Sequence, residues 1–166
     1  KGLTQEELTG MLMENSDEPY AEEIARTVMG EIKRGREVAT TTRLYEMVDR
    51  ALAFIPEEER KEAVKKSCQR TFQALRIDVN SEFEVLYEFL AKLPGVLKPG
   101  GRAAILTFHS GEDRIVKKSF KEMYRAGLYS QVAGDVIRPS AEECRMNSRA
   151  HSTKMRWAIK AEDSNS

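Results

Sequence analysis

The sequence predicts an α/β chain in which a helical N-terminal part gives way to a small sheet-forming part. Three observations carry that reading. Apolar residues recur at helical spacing, with no strand-like stretch, from Leu8 to Leu52. Arg102 to Thr107 holds the run Ala103-Ala-Ile-Leu106 behind the breaker Pro99-Gly100-Gly101, and polar chemistry follows at once. In Lys154–Lys160, Met155, Trp157 and Ile159 alternate with Arg156, Ala158 and Lys160, the period-two pattern of a half-exposed strand.

At 166 residues the chain can hold one domain with a core of its own or two small ones. Apolar residues make up 40% and charged residues 33%, a globular composition rather than a disordered one. No apolar run approaches the roughly 20 residues of a membrane helix, so no membrane partner is expected. The net charge is zero but unevenly spread. Residues 1–97 carry 14 Lys and Arg against 19 Asp and Glu, whereas residues 98–160 carry 13 against 6. A basic C-terminal part suits a phosphate-rich partner, although solvated lysines on helix faces would give the same count. Cys68 and Cys144 lie far apart, with neither metal-ligand spacing nor a disulfide framework, and a reducing, cytoplasmic setting is expected. The opening Lys1-Gly-Leu-Thr is no signal peptide and has no initiator Met, so the chain is expected to start inside a longer product.

Along the chain, Thr4 and Glu7 form a capping box ahead of a helix whose face is Leu8, Met11 and Leu12. Asp17-Glu18-Pro19 starts a second helix with the stripe Ala21, Ile24, Ala25, Val28, Met29 and Ile32, stopped by Lys33-Arg34-Gly35. Thr40-Thr41-Thr42 caps a third, with Leu44, Met47, Val48, Ala51 and Leu52 on one face and Pro56 closing it. Glu57 to Lys66 is a charged helix or helical loop. Phe72, Leu75, Val79, Phe83, Leu86, Phe89, Leu90 and Leu93 then keep helical spacing, as one long helix or as two broken near Asn80-Ser81.

The run in Arg102–Thr107 lacks polar alternation, which predicts a strand covered on both faces. Glu112 to Ala126 reads as a helix with Ile115, Val116, Phe120 and Met123/Tyr124 inward, ended by Gly127. A strand follows at Tyr129–Val132 or at Val136–Ile137. Ser140 caps a short helix through Met146, and the polar loop Asn147–Thr153 leads to the last strand. The tail 161–166 is expected to fray.

Open α/β sheets bind ligands beyond the carboxyl ends of their strands, where His109, Ser110, Glu112, Asp113 and Arg114 fall. His109 and Ser110 read as a base and a hydroxyl at a reaction site, or as a turn that bonds its own backbone. Glu112 and Asp113 suit the first turn of the next helix. Arg70, Gln73 and Arg76 share a helix face and could meet phosphate, a base edge or neighbouring carboxylates. Arg145, Arg149, Lys154 and Arg156, with His151, form the densest basic segment, either an RNA contact or an exposed loop.

Three segments together resemble the MraW/RsmH family, which methylates a cytosine of 16S ribosomal RNA. Arg70-Thr-Phe-Gln-Ala-Leu-Arg-Ile77 with Val79-Asn80 matches that family's RTFQALRI-x-VN. Phe108-His-Ser-Gly-Glu-Asp-Arg-Ile-Val-Lys117 matches FHS-x-EDRIVK. Asn147-Ser-Arg149 with Ser152-Thr-Lys-Met-Arg156 is similar to N-P-R-S-x-S-A-K-L-R, from which Ser148 and Thr153 depart. The helical segments Leu8–Met29 and Thr40–Leu52 also look like the family's inserted domain.

The resemblance implies the C-terminal part of a Rossmann-like methyltransferase sheet preceded by an all-helical inserted domain. Residues 1–68 would be that RNA-recognition insertion, 69–160 the returning methyltransferase part with Arg102–Thr107 as its fifth strand, and 161–166 a tail. His109 and Ser110 would line the base pocket. Arg76, Asn80, Arg114, Arg149 and Arg156 would orient RNA or order the loops. The cofactor would be S-adenosylmethionine and the partner 16S rRNA in the small ribosomal subunit. The family's cofactor loop, ribose-binding acid and Asp-Leu-Gly-Val-Ser-Ser-Pro-type segment precede the point where this chain begins. The pocket is therefore expected to be incomplete here and the isolated chain inactive. The apolar strand would need cover from a partner copy, as in a homodimer, or from a rearranged edge. The rival expectation is a non-catalytic RNA-binding or interaction module derived from the same family.

Overall fold

A computed structural model of the chain describes residues 2–38 and 40–163. The chain divides into two compact units, Lys1–Asn80 and Ser81–Ser166. The expected domain boundary at residue 68 follows from family topology and is a different quantity from this division. Helix α4 runs unbroken from Glu57 to Val79, so packing is not interrupted at Cys68.

The first unit is four helices: α1 (Gln5–Ser16), α2 (Ala21–Lys33), α3 (Thr41–Ala51) and α4. The Thr4–Glu7 capping box forms, with Thr4 N–H donating to Glu7 Oε2 at 2.8 Å and Glu7 N–H to Thr4 Oγ1 at 3.1 Å. Thr40 caps α3 in the same way, accepting from the Arg43 N–H at 3.2 Å. Helix α3 ends at Ala51, five residues before Pro56. Pro56 instead stands at the N-cap of α4, where a missing N–H costs nothing. Leu8, Leu12, Ile24, Val28, Leu44, Met47, Val48, Leu52 and Val64 fill the core, each such side chain worth about 1.5–3 kcal/mol of burial. Two polar ties cross it: Ser67 Oγ–H donates to Glu18 Oε1 at 2.8 Å and Asn15 Nδ2–H to the Ala74 carbonyl at 3.1 Å.

The break foreseen near Asn80-Ser81 falls there, with Ser81 in the left-handed region (φ 50°) and α5 running Glu82–Val96. The long apolar stripe is not all core: Val79 and Phe89 are exposed, and Phe72 largely so. The second unit continues with β1 (Arg102–Thr107), α6 (Ser110–Arg125), β2 (Tyr129–Val132), α7 (Ala141–Met146), a 3-10 turn at Ser148–Ser152, and β3 (Lys154–Lys160). The sheet order is β1-β3-β2, with β3 antiparallel to both neighbours. Both candidate positions for the middle strand pair with β3, Tyr129–Val132 as β2 and Ile137 as a single bridge to Met155.

Leu90, Leu93, Ile115, Val116, Phe120, Tyr129 and Ala158 form the core of this unit. Phe120 and Tyr129 meet edge to face at 5.5 Å. Met123 packs against this core while Tyr124, expected beside it, is exposed.

Two expectations about the sheet are corrected. Strand β1 is not covered on both faces: Ala104 and Leu106 are exposed, because among the described residues β1 pairs only with β3 and packs only its Ala103/Ile105 face. On β3 it is Arg156 and Ala158 that are buried, against α6, while Met155, Trp157 and Ile159 are half-exposed. The hydropathy alternation is therefore inverted relative to the core. Of the tail, Ala161 is anchored by its N–H to the Leu128 carbonyl at 3.0 Å, and Ser164–Ser166 lie outside the described residues. No helix of the described residues is long and apolar enough to cross a membrane.

Candidate functional site

The carboxyl end of β1 runs directly into α6 through Phe108 and His109. His109 takes an extended conformation (φ −147°, ψ 160°) and is the N-cap residue. Its ring Nδ1 accepts the Glu112 N–H at 3.4 Å. The Glu112 carboxylate reaches back, its Oε2 accepting the Phe108 N–H at 3.1 Å. The imidazole thus takes the place of the usual capping hydroxyl, and Glu112 ties back the residue before the cap rather than the cap residue itself. The turn reading of His109 is thus met locally, and it leaves Nε2 for other work.

Because Nδ1 is an acceptor, the ring proton of the neutral form sits on Nε2. Nε2 lies 3.2 Å from Glu112 Oε1 but has no hydrogen-bond partner, the approach being off-line. The ring is walled by Phe83, at 5.9 Å between centroids. Glu82, His109 and Glu112 bring donor atoms within 4.8 Å of one another, a set of the type divalent cations take. The tautomer argues against a resident metal, since a cation on Nε2 would have to displace the proton that the Glu112 cap places there. Thr107 Oγ1, buried one residue before this loop, likewise has no hydrogen-bond partner. Ser110, half-buried, is the first residue of α6.

Behind the loop, Asp113 is fixed to β3. Arg156 Nε–H donates to Asp113 Oδ1 at 2.7 Å and Nη2–H to Oδ2 at 3.1 Å, with both side chains 10% exposed. Burial alone would raise the Asp113 carboxyl. The hydrogen bonds and charge of Arg156, with Lys154 and Lys117 nearby, outweigh it and hold the carboxyl below the ordinary carboxylate range. Arg156 therefore spends its fork on Asp113 and orders the loop from behind, rather than facing solvent.

The antiparallel register sets Thr107 opposite Lys154. The basic turn at Ser148–Ser152 therefore enters the sheet at the end where β1 delivers His109. Arg149 in that turn and Arg114 on α6 are both exposed. Arg76 and Asn80 belong to the other unit, exposed at the end of α4, where Asn80 N–H donates to the Arg76 carbonyl at 3.0 Å. In the sequence Phe83 is only one member of a helical stripe, and nothing singles out Glu82 or Thr107. Nothing in spacing alone brings the start of α5 to the His109 ring.

The cleft between α6 and β2, of about 230 Å³, is lined by Lys117, Lys121, Arg156 and Phe120, and it is smaller than the ~300 Å³ at which ligand pockets usually begin. A wider cleft of about 750 Å³ in the first unit is lined by residues of α1, the stretch before it and Asp78.

The profile of the MraW methylase family matches residues 1–161. The chain belongs to the MraW methylase family. This MraW-family chain is 69% identical over 161 residues to "Ribosomal RNA small subunit methyltransferase H 1" of Lachnoclostridium phytofermentans, covering 97% of the chain and 44% of that relative. It is 64% identical to the protein of the same name in Agathobacter rectalis, over 96% of the chain and 46% of the relative. The "Ribosomal RNA small subunit methyltransferase H" of Fervidobacterium nodosum is 38% identical over 93% of the chain and 49% of its own length. The chain thus spans about half the length of these curated relatives.

Proposed function

We propose that this chain is the C-terminal portion of an S-adenosylmethionine-dependent methyltransferase acting on the exocyclic amine of a cytosine in 16S ribosomal RNA, working in the cytoplasm. The observation that carries this is the pairing of Thr107 with Lys154, which gathers His109, Ser110 and the basic Arg149 turn at one end of a sheet. Ligands of open α/β sheets bind at such an end. The arrangement of β3 between two strands antiparallel to it supports a Rossmann-like sheet that continues from the free edge of β1. The exposed Ala104 and Leu106 mark the face that the rest of a longer protein would cover. Residues 1–68 then form the inserted helical domain and 69–160 the returning methyltransferase part.

In this reading S-adenosylmethionine supplies the methyl group, and the residues of this chain do not hold it. They supply the base-facing wall. His109 and Ser110 border the cytosine, the His109 ring being fixed by the Glu112 N–H and by Phe83. Arg156 positions that wall through Asp113. Arg149, Arg114, Arg76 and Asn80 orient RNA.

The test is calorimetry and methyl incorporation side by side. The chain alone should neither bind S-adenosylmethionine nor methylate ribosomal RNA, whereas the full-length protein that contains it should do both. Tight cofactor binding by the chain alone would contradict the division of labour. RNA binding by a full-length protein that transfers no methyl group would leave only the non-catalytic module.

A further inference from the structure

The first unit holds a charge cluster that the base-facing wall does not use. Glu31, in the last turn of α2, has a side chain only 2% exposed, yet four arginines converge on it. Arg34 and Arg50 reach Oε1 at 3.2 and 3.1 Å, and Arg36 and Arg43 reach Oε2 at 3.3 and 3.6 Å. Arg43 also meets Glu46 at 3.3 Å. The local fold builds this deliberately. Gly35 takes φ 70°, and the Arg36 N–H returns to the Glu31 carbonyl at 3.1 Å, so the chain doubles back over the end of α2. Arg43 and Arg50, two turns apart on α3, close the ring from the other side.

The stoichiometry is wrong for a structural pin. Four guanidiniums offer roughly twenty N–H donors, and a carboxylate offers about four lone-pair sites. Two carboxylates neutralise at most half of the positive charge. The four arginine side chains remain 41–66% exposed, so their unused donors face solvent. Like charges crowded in this way repel, a cost a simple helix tie would not need. Nor does it follow from a basic composition: residues 1–80 carry 13 Lys and Arg against 16 Asp and Glu. The buried Glu31 holds the forks convergent in advance, which lowers the ordering cost of binding a further anion.

We infer that Arg34, Arg36, Arg43 and Arg50, gathered on Glu31, form a preorganised site for the phosphodiester backbone of RNA. Each non-bridging phosphate oxygen can take a guanidinium fork, and such contacts fix register without reading sequence. The inference rests on the RNA-substrate reading above and assigns part of the grip to the helical unit.

The test is fluorescence anisotropy of this chain with a fluorescein-labelled, mixed-sequence RNA oligonucleotide over a range of salt. Arg36→Gln with Arg43→Gln removes the two arginines on Oε2 and leaves Glu31 paired with Arg34 and Arg50, so the fold is kept. The double variant should bind about tenfold more weakly, and its log-affinity against log-salt slope should flatten by about 1.4, at ~0.7 per single-strand phosphate contact. Arg26→Gln, on the same helix but paired only with Glu22 in the ion pairs described, should leave the slope unchanged. Arg36→Lys with Arg43→Lys should restore the slope and only part of the affinity, because charge returns without the fork. Equal slopes for the wild type and the double Gln variant would overturn the site while leaving RNA binding elsewhere intact. No RNA binding by the wild type would overturn the site and the RNA reading together. Displacement of RNA by polyglutamate as readily as by polyuridylate would assign the cluster to an acidic protein surface and overturn it as well.

Discussion

Replacing Asp113 with Ala should remove about 3–5 kcal/mol from the stability of the second unit. The Asp113–Arg156 pair is bidentate, at 2.7 and 3.1 Å, and both side chains are 10% exposed. Hydrogen bonds to charged groups are worth about 1.5–3 kcal/mol each. The larger part of the loss is the guanidinium left buried and unpaired, the cost usually seen when one partner of a buried pair is removed. Lys154 and Lys117, which act electrostatically on Asp113, would then add like charge around Arg156. Trp157, the only tryptophan and the neighbour of Arg156 on β3, reports unfolding by fluorescence in urea. Arg156→Met with Asp113→Ala removes both charges, and that variant should lose well under the sum of the single losses, with a coupling of about 2 kcal/mol or more. A loss below about 1 kcal/mol for Asp113→Ala, or additivity within ~0.5 kcal/mol, would refute a buried, mutually dependent pair.

The same pair fixes a pH dependence. The folded Asp113 carboxyl lies below its ordinary value of 3.8, so its contribution is present above that value and is lost as pH falls through the lower folded value. Acid titrations of wild type and Asp113→Asn should converge at low pH and diverge above it; parallel curves would contradict the assignment. Gly35→Ala should cost the first unit about 1 kcal/mol, since φ is 70° and a Cβ there meets nothing within 4 Å, leaving strain as the whole effect. Circular dichroism melts would read it, and an unchanged melt would deny the left-handed turn. Cys68 is buried, and burial, with the charges of Glu18 and Asp49, pushes its thiol up to about 11. Cys144 should therefore react with Ellman's reagent at neutral pH while Cys68 waits for unfolding; equal rates would contradict the packing of α4.

Much of the helical order is legible in the sequence because it is local. Thr4 with Glu7, Thr40 and Ser140 act as caps within three residues of what they bind, so spacing alone identifies them. The strand ends at Arg102, Thr107 and Lys154 are equally local, set by breakers and alternation. Burial depends on neighbours that spacing cannot supply. Ala104 and Leu106 read as core and are exposed because nothing among the described residues packs on that face. Arg156 reads as a surface cation and is buried because Asp113, 43 residues away, neutralises it. The Glu31 cluster was invisible for the same reason: its arginines are scattered from Arg34 to Arg50 and meet only once α2 and α3 pack. For the candidate site, the motif at Phe108–Lys117 singles out His109 and Ser110 as candidates, whereas the capping role of Nδ1, the tautomer and the Phe83 wall are three-dimensional facts.

A base-facing wall at the end of β1, as proposed for a ribosomal RNA methyltransferase, makes His109 the residue to replace. The most direct measurement is methyl incorporation into 16S ribosomal RNA by the full-length protein carrying His109→Asn. Asparagine is among the best N-cap residues, so α6 keeps its cap and the fold its stability. Turnover should fall roughly a hundredfold or more with S-adenosylmethionine affinity unchanged, the size expected when a hydrogen-bond donor positioned at the reacting group is lost. Wild-type turnover in that variant would reduce His109 to a helix cap and contradict the account.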